Sequence, residues 1–187
     1  MLFRSLGEKG EAASTRIALA WLTIEEGRPA EAETPAREGA EGFAKEKQTD
    51  DEAAAQVVLA RSLLDQGKLR EAQDALGRAQ ELDNKSQRFA TRLMVALATA
   101  RVRAAAGHAD EAVKGLDPAL AQAQKAGFVA TSLEVRLVLG ECELKAGRRE
   151  AGRPRLVALA REAEAKGFGL VARKRSEERR VGKECRL

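Results

Sequence analysis

Apolar residues recur along this chain at helical spacing, and the stripe they form returns every 40 residues. It runs Ala13, Ile17, Ala20, Ile24, then Ala53, Val57, Ala60, Leu64, then Leu93, Leu97, Ala100, Ala104, then Leu133, Leu137, Gly140, Leu144. Steps of three and four residues place each set on one side of an α-helix. A second stripe follows each first one: Ala32, Ala72, Ala112 and Gly152, with Ala36, Leu76, Leu116 and Leu156 four residues later. The pattern predicts four pairs of helices, with A helices near 9–26, 50–66, 88–106 and 129–146 and B helices near 29–46, 69–83, 109–126 and 149–166. A partial fifth A helix is expected from Phe168.

Between the stripes stand Gly27, Gly67, Gly107 and Gly147, in the contexts EEGRPAEA, DQGKLREA, AAGHADEA and KAGRREAG. A residue just past a helix end often adopts a left-handed conformation, which glycine reaches at little cost. A repeat of this length marks a solenoid whose units bury their apolar faces only against neighbours. The fold class expected is therefore all-α, an α-solenoid of about four antiparallel hairpins, with units near 9–46, 50–84, 88–126 and 129–166 in an array spanning 1–174. The columns of small residues on helices A and B are expected to face each other in tight hairpins. Pro35, Pro118 and Pro154 fall inside B helices, where they predict kinks or displaced helix starts.

Composition agrees with helices and removes several functions. The chain is 44% hydrophobic and 33% charged with 3% aromatics, rich in Ala, Leu, Glu, Arg and Lys, and carries no alternating strand pattern. One histidine, His108, and two cysteines cannot assemble a metal site, and no cofactor is expected. His108 follows its glycine where Arg28, Lys68 and Arg148 follow theirs, so it reads as a basic helix-start residue; Cys142 reads as a small buried hydrophobe. No phosphate-cradling glycine loop and no Ser-His-Asp set is present, which argues against an enzyme. The sequence shows neither an 18-residue apolar run nor a signal pattern, so no membrane association and a cytoplasmic setting are expected.

Both ends read as unnatural. Arg175 to Arg186, RSEERRVGKECR, resembles a translated sequencing adapter, so 175–187 is read as an artefactual tail outside the fold. That tail holds +2 of the net charge of +4, leaving 28 basic and 26 acidic residues, a balance that disfavours nucleic acid as partner. At the start, Phe3 stands 40 residues before Phe43, so Met1 to Leu6 fit the end of an earlier helix and the natural protein is expected to extend upstream.

The second copy, LARSLLDQGKLREAQDALGRAQELDN from Leu59 to Asn84, resembles a tetratricopeptide repeat: Leu and a small residue on helix A, a glycine turn, Glu-Ala opening helix B, and a later alanine at Ala79. The period of 40 exceeds the family's usual 34, and the family's aromatic positions are mostly Leu, Ala or charged here. This long form is similar to arrays that end bacterial multidomain regulators. The resemblance implies a superhelix whose A helices line a concave face that binds a peptide or protein.

On that face the column beside the core stripe holds Trp21, Arg61, Arg101 and Glu141, with Glu25, Asp65, Ala105 and Lys145 one turn later. Its chemistry changes from copy to copy, as a recognition surface requires. Trp21 is suited to anchor a ligand, and Arg61 and Arg101 to grip a carboxylate or phosphate. The function expected is a non-catalytic protein-interaction scaffold, a fragment of a larger bacterial signalling or regulatory protein. The alternatives are a self-associating module, pairing through truncated ends, and an RNA-binding helical repeat.

Overall fold

The computed structural model describes residues 2–86 and 88–168. The tail 175–187, Cys185 and the expected fifth A helix beyond Phe168 lie outside the described residues. Among those residues are eight helices and no strand: α1 (Leu2–Glu25), α2 (Pro29–Lys45), α3 (Thr49–Asp65), α4 (Leu69–Asp83), α5 (Phe89–Ala105), α6 (Ala109–Lys125), α7 (Val129–Lys145) and α8 (Arg149–Ala165). The chain forms two compact units, the first ending at Val102 within α5 and the second starting at Arg103.

From α2 onward the helices start at Pro29, Thr49, Leu69, Phe89, Ala109, Val129 and Arg149, a step of 20 residues, so each 40-residue repeat consists of two equal halves. Every hairpin turn closes in the same way. The amides of Gly27 and Arg28 donate to the carbonyls of Ile24 and Thr23, and the pattern recurs at Gly67, Gly107 and Gly147. These paired 5→2 and 6→1 bonds satisfy the last carbonyls of helix A and need a left-handed residue, which the glycines supply at φ of 75° to 92°. The same turn links one hairpin to the next through Lys47 and Gly127, and closes the end of α8 at Gly167. Lys47 takes φ 57°, a conformation disfavoured for a residue with a β-carbon.

In the first unit α1 packs on α2 and α3, α2 on α3, and α3 on α4. One core cluster runs from Ala20 and Ile24 through Ala32, Val57, Ala60, Leu63, Ala72 and Leu76 to Val95, Ala98 and Val102. In the second unit α7 lies against both α6 and α8, around Leu133, Leu137, Leu156 and Leu159. The small columns are buried where they were expected. Ala20, Ala60, Ala32 and Ala72 have no exposed surface, and a β-carbon on Gly140 would stand 2.6 Å from Leu156.

Two expectations need correction. The helix starts expected to be displaced by Pro35, Pro118 and Pro154 are not: α2, α6 and α8 run through them. The carbonyls that lose a donor belong to Glu31, Lys114 and Glu150, all exposed residues, where the lost bond costs less than it would in the core. The first helix also begins earlier than residue 9. Residues 2–8 continue α1 as helix instead of forming the end of a separate one, and its next turns are stitched by Ser14 and Thr15 hydroxyls donating to the carbonyls of Gly10 and Glu11.

Candidate functional site

The backbone sets up the candidate surface before any side chain is considered. Because successive A helices share one register, residues 40 apart occupy the same place on each. Trp21 on α1, Arg61 on α3 and Arg101 on α5 are all half-buried, at the edge of the stripe that enters the core. α1 and α3 touch directly, which places Trp21 and Glu25 on one helix and Arg61 and Asp65 on its neighbour. The Trp21 ring rests on the core cluster that includes Val57 and Ala60. Arg101 joins this unit through α5, whose Val95, Ala98 and Val102 enter the same cluster. Arg61 Nε donates to Asp65 Oδ2 at 2.7 Å, so the guanidinium is already oriented by a carboxylate one turn away. In the second unit Glu141 is half-buried and Lys145 exposed, in the same register on α7.

A second surface, on the B-helix side, was missed by the sequence reading. In the first unit a cleft of about 350 Å³ opens between α2 and α4, with Leu59 and Leu63 of α3 as its floor. Ala40 and Ala75 leave the space, and Arg37, Glu41, Gln56, Glu71, Asp74 and Arg78 form the rim. The small residues on both B helices were the available signal. In the second unit a cleft of about 260 Å³ lies elsewhere in the repeat, at the α6–α7 turn and the end of α8, walled by Phe128, Ser132, Arg136, Glu162 and Lys166.

Charges along the helix seams are held in pairs. Glu33 lies well placed for Lys68, whose Nζ donates at 2.8 Å, with Arg37 and Gln66 adding further bonds, and its carboxyl is held below the usual range chiefly by Lys68. Arg136, and after it Lys166, does the same for Glu162. Two carboxylates are almost fully buried. Glu52 accepts from Nε and Nη2 of Arg78 at 3.0 and 2.8 Å, and Glu143 accepts a two-pronged pair from Arg155 at 2.9 and 2.8 Å. These acids are each bound to a guanidinium group of helix B, which compensates their burial. Among the described residues no group of three His, Cys, Asp or Glu side chains could hold a metal ion. Among those residues, too, no helix is long and apolar enough to cross a membrane.

No protein-family model and no curated protein matches the chain. Among solved structures it is similar to a proposed kinesin light chain from Podosopora anserina with nearly identical TPR-like repeats, at a TM-score of 0.56 and 24% identity over 83% of this chain and 76% of that one. A single-substitution variant of that protein gives a TM-score of 0.59 at 23% identity over 82% and 76%. A likeness at this identity shows the fold, and the fold is the TPR-like helical repeat.

Proposed function

We propose that this TPR-like repeat chain is a non-catalytic interaction scaffold, a segment of a larger bacterial signalling or regulatory protein, which binds a peptide or protein on the face of its A helices. In the first unit the contact residues are Trp21, Glu25, Arg61, Asp65 and Arg101; Glu141 and Lys145 serve the second. One observation carries the reading. The column that packs helix A onto helix B is small in every copy, Ala20, Ala60, Ala100 and Gly140, while the adjoining half-buried column changes among aromatic, basic and acidic residues. Packing imposes sameness on the first and leaves the second open for recognition. Guanidinium groups held at a half-buried edge suit a ligand carboxylate, and Trp21 offers an amphipathic anchor beside them.

The test is affinity capture with the whole chain as bait, in parallel with Arg61→Glu plus Arg101→Glu. A partner recovered by the first and lost at least tenfold by the second supports the reading. Retention of that partner by the double variant overturns the site. Capture of RNA with steep salt dependence overturns the function in favour of a nucleic-acid reader.

A further inference from the structure

The first helix exposes a face that its counterparts bury. On α1, Leu19 and Leu22 are 56% and 59% exposed, and Ala18 beside them is exposed as well. Forty and 120 positions later, on α3 and α7 respectively, the same register holds Leu59 and Ser62, then Leu139 and Cys142, none more than 4% exposed. What covers them in each case is the preceding B helix, α2 on α3 and α6 on α7.

A charge accompanies that contact. After two of the hairpin glycines the basic residue reaches back to an acid in the first part of the preceding B helix, Lys68 to Glu33 at 2.8 Å and Arg148 to Asp110, while His108 faces Glu111 of its own helix. Arg28 stands in the same register and instead bends back to Glu26 and Glu31 of its own turn, half-exposed. The face of α1 thus carries both halves of the contact, an apolar strip and a cation at its end. The match to α7 is close: Leu19 repeats Leu139, Leu22 takes the apolar place of Cys142, and Arg28 repeats Arg148.

We infer that the Leu19, Leu22 and Arg28 face of α1 is a docking site for an amphipathic helix of another protein. That helix runs antiparallel to α1, presents Ala, Val and Leu to the two leucines, and carries an acidic residue in its first turn opposite Arg28. An acid there also suits the partner helix's own N-terminal dipole. About 17 residues, roughly 25 Å of helix at 1.5 Å per residue, cover the strip as α6 covers α7. A second copy docking by its last helix is disfavoured, because the corresponding face of α8, with Ala160 and Ala163, is at most 5% exposed. The strip adjoins the Trp21 column on α1 but is argued from separate observations, so it stands independently of the proposed function.

The probe is an acetylated, fluorophore-labelled peptide with the sequence of α6, Ala109 to Lys125, titrated against the whole chain by anisotropy. Saturable binding is expected, weakened at least tenfold by Leu19→Glu plus Leu22→Glu in the chain. Arg28→Glu is expected to weaken it severalfold, and a peptide carrying Asp110→Lys to recover that loss. Because Arg28 is a surface residue, this charge exchange remains readable even if the leucine variant folds poorly by circular dichroism. No binding up to about 1 mM peptide, or binding indifferent to both sets of substitutions, overturns the proposal. So does sedimentation showing a dimer that Leu19→Glu dissociates while the peptide fails to bind, since the occupant is then a second copy.

Discussion

The α3–α4 hairpin and the α7–α8 hairpin occupy equal places in the repeat and solve the same packing problem with different residues. In the first, Ala60 faces Ala72, both without exposed surface. In the second the facing pair is Gly140 and Gly152, and a β-carbon on Gly152 would stand 3.1 Å from the Gly140 carbonyl oxygen. Each hairpin also buries one carboxylate, clamped by an arginine of helix B. Glu52 lies in the first turn of α3, whereas Glu143 lies near the end of α7. The repeat therefore dictates the depth of the seam between its helices and leaves free the position of the clamp along it.

The largest effect expected from breaking this comparison is at the clamp. Arg155→Met removes both bonds to Glu143, whose side chain is 5% exposed, and strands a charge in the interior. Losing one partner of a buried pair costs about 3 kcal/mol or more. The Arg78→Met variant should cost less, because the Arg78 side chain is 48% exposed against 35% for Arg155 and water reaches that end of the hairpin more easily. Urea unfolding of both variants measures the difference; equal losses would show that the two clamps are buried alike.

The next effect is at the seam. Alanine is a better helix former than glycine by about 1 kcal/mol, so Gly140→Ala would stabilise a loosely packed helix. Here its β-carbon meets Cγ and Cδ2 of buried Leu156 at 2.6 Å, and overpacking costs about 1–3 kcal/mol. The variant is expected to melt a few degrees lower, whereas Ala60→Gly in the first hairpin loses stability through propensity and a small void. A rise in melting temperature for Gly140→Ala would show that the second hairpin is no tighter than the first.

Much of this was legible in the sequence because a repeat displays every constraint several times. The glycine turns, the small columns and seven helix starts could be read from positions 40 apart. The 20-residue half-step was harder to see, since Lys47 occupies a left-handed position that Gly127 and Gly167 mark openly. Pro35, Pro118 and Pro154 displace no helix start, because the carbonyl each leaves without a donor belongs to an exposed residue, which a linear pattern does not show. The extended α1 was missed because residues 2–8 resemble the end of a B helix more than the start of an A helix. At the candidate surface, the Trp21, Arg61 and Arg101 register was readable. The Arg78–Glu52 and Arg155–Glu143 clamps were not, because their partners lie 26 and 12 residues apart and the acid takes a different register in each hairpin.

The smallest effect lies where the first hairpin departs from every other. Asp83 sits at the end of α4 in the register that other B helices fill with Phe43, Ala123 and Ala163, all buried. Its Oδ1 is buried without a hydrogen-bond partner. Burial pushes the carboxyl above the usual range, Arg92 draws it down, and Asp50 raises it again. An acid whose value is raised in the folded state opposes folding once both states are ionised, and that opposition vanishes below the unfolded value near pH 4. Glu33 and Glu162, held low by their cations, act with the opposite sign: they support folding above that range and lose the support as pH falls through their folded values. Asp83→Ala, which copies the residue of the second hairpin, should therefore raise stability at pH 7 by about 0.5–1 kcal/mol and much less at pH 3. It should also let α4, at 15 residues, approach the 17 of α8. Unfolding curves at the two pH values decide it: a gain that does not shrink on acidification would assign the effect to helix propensity and remove the buried charge from the account.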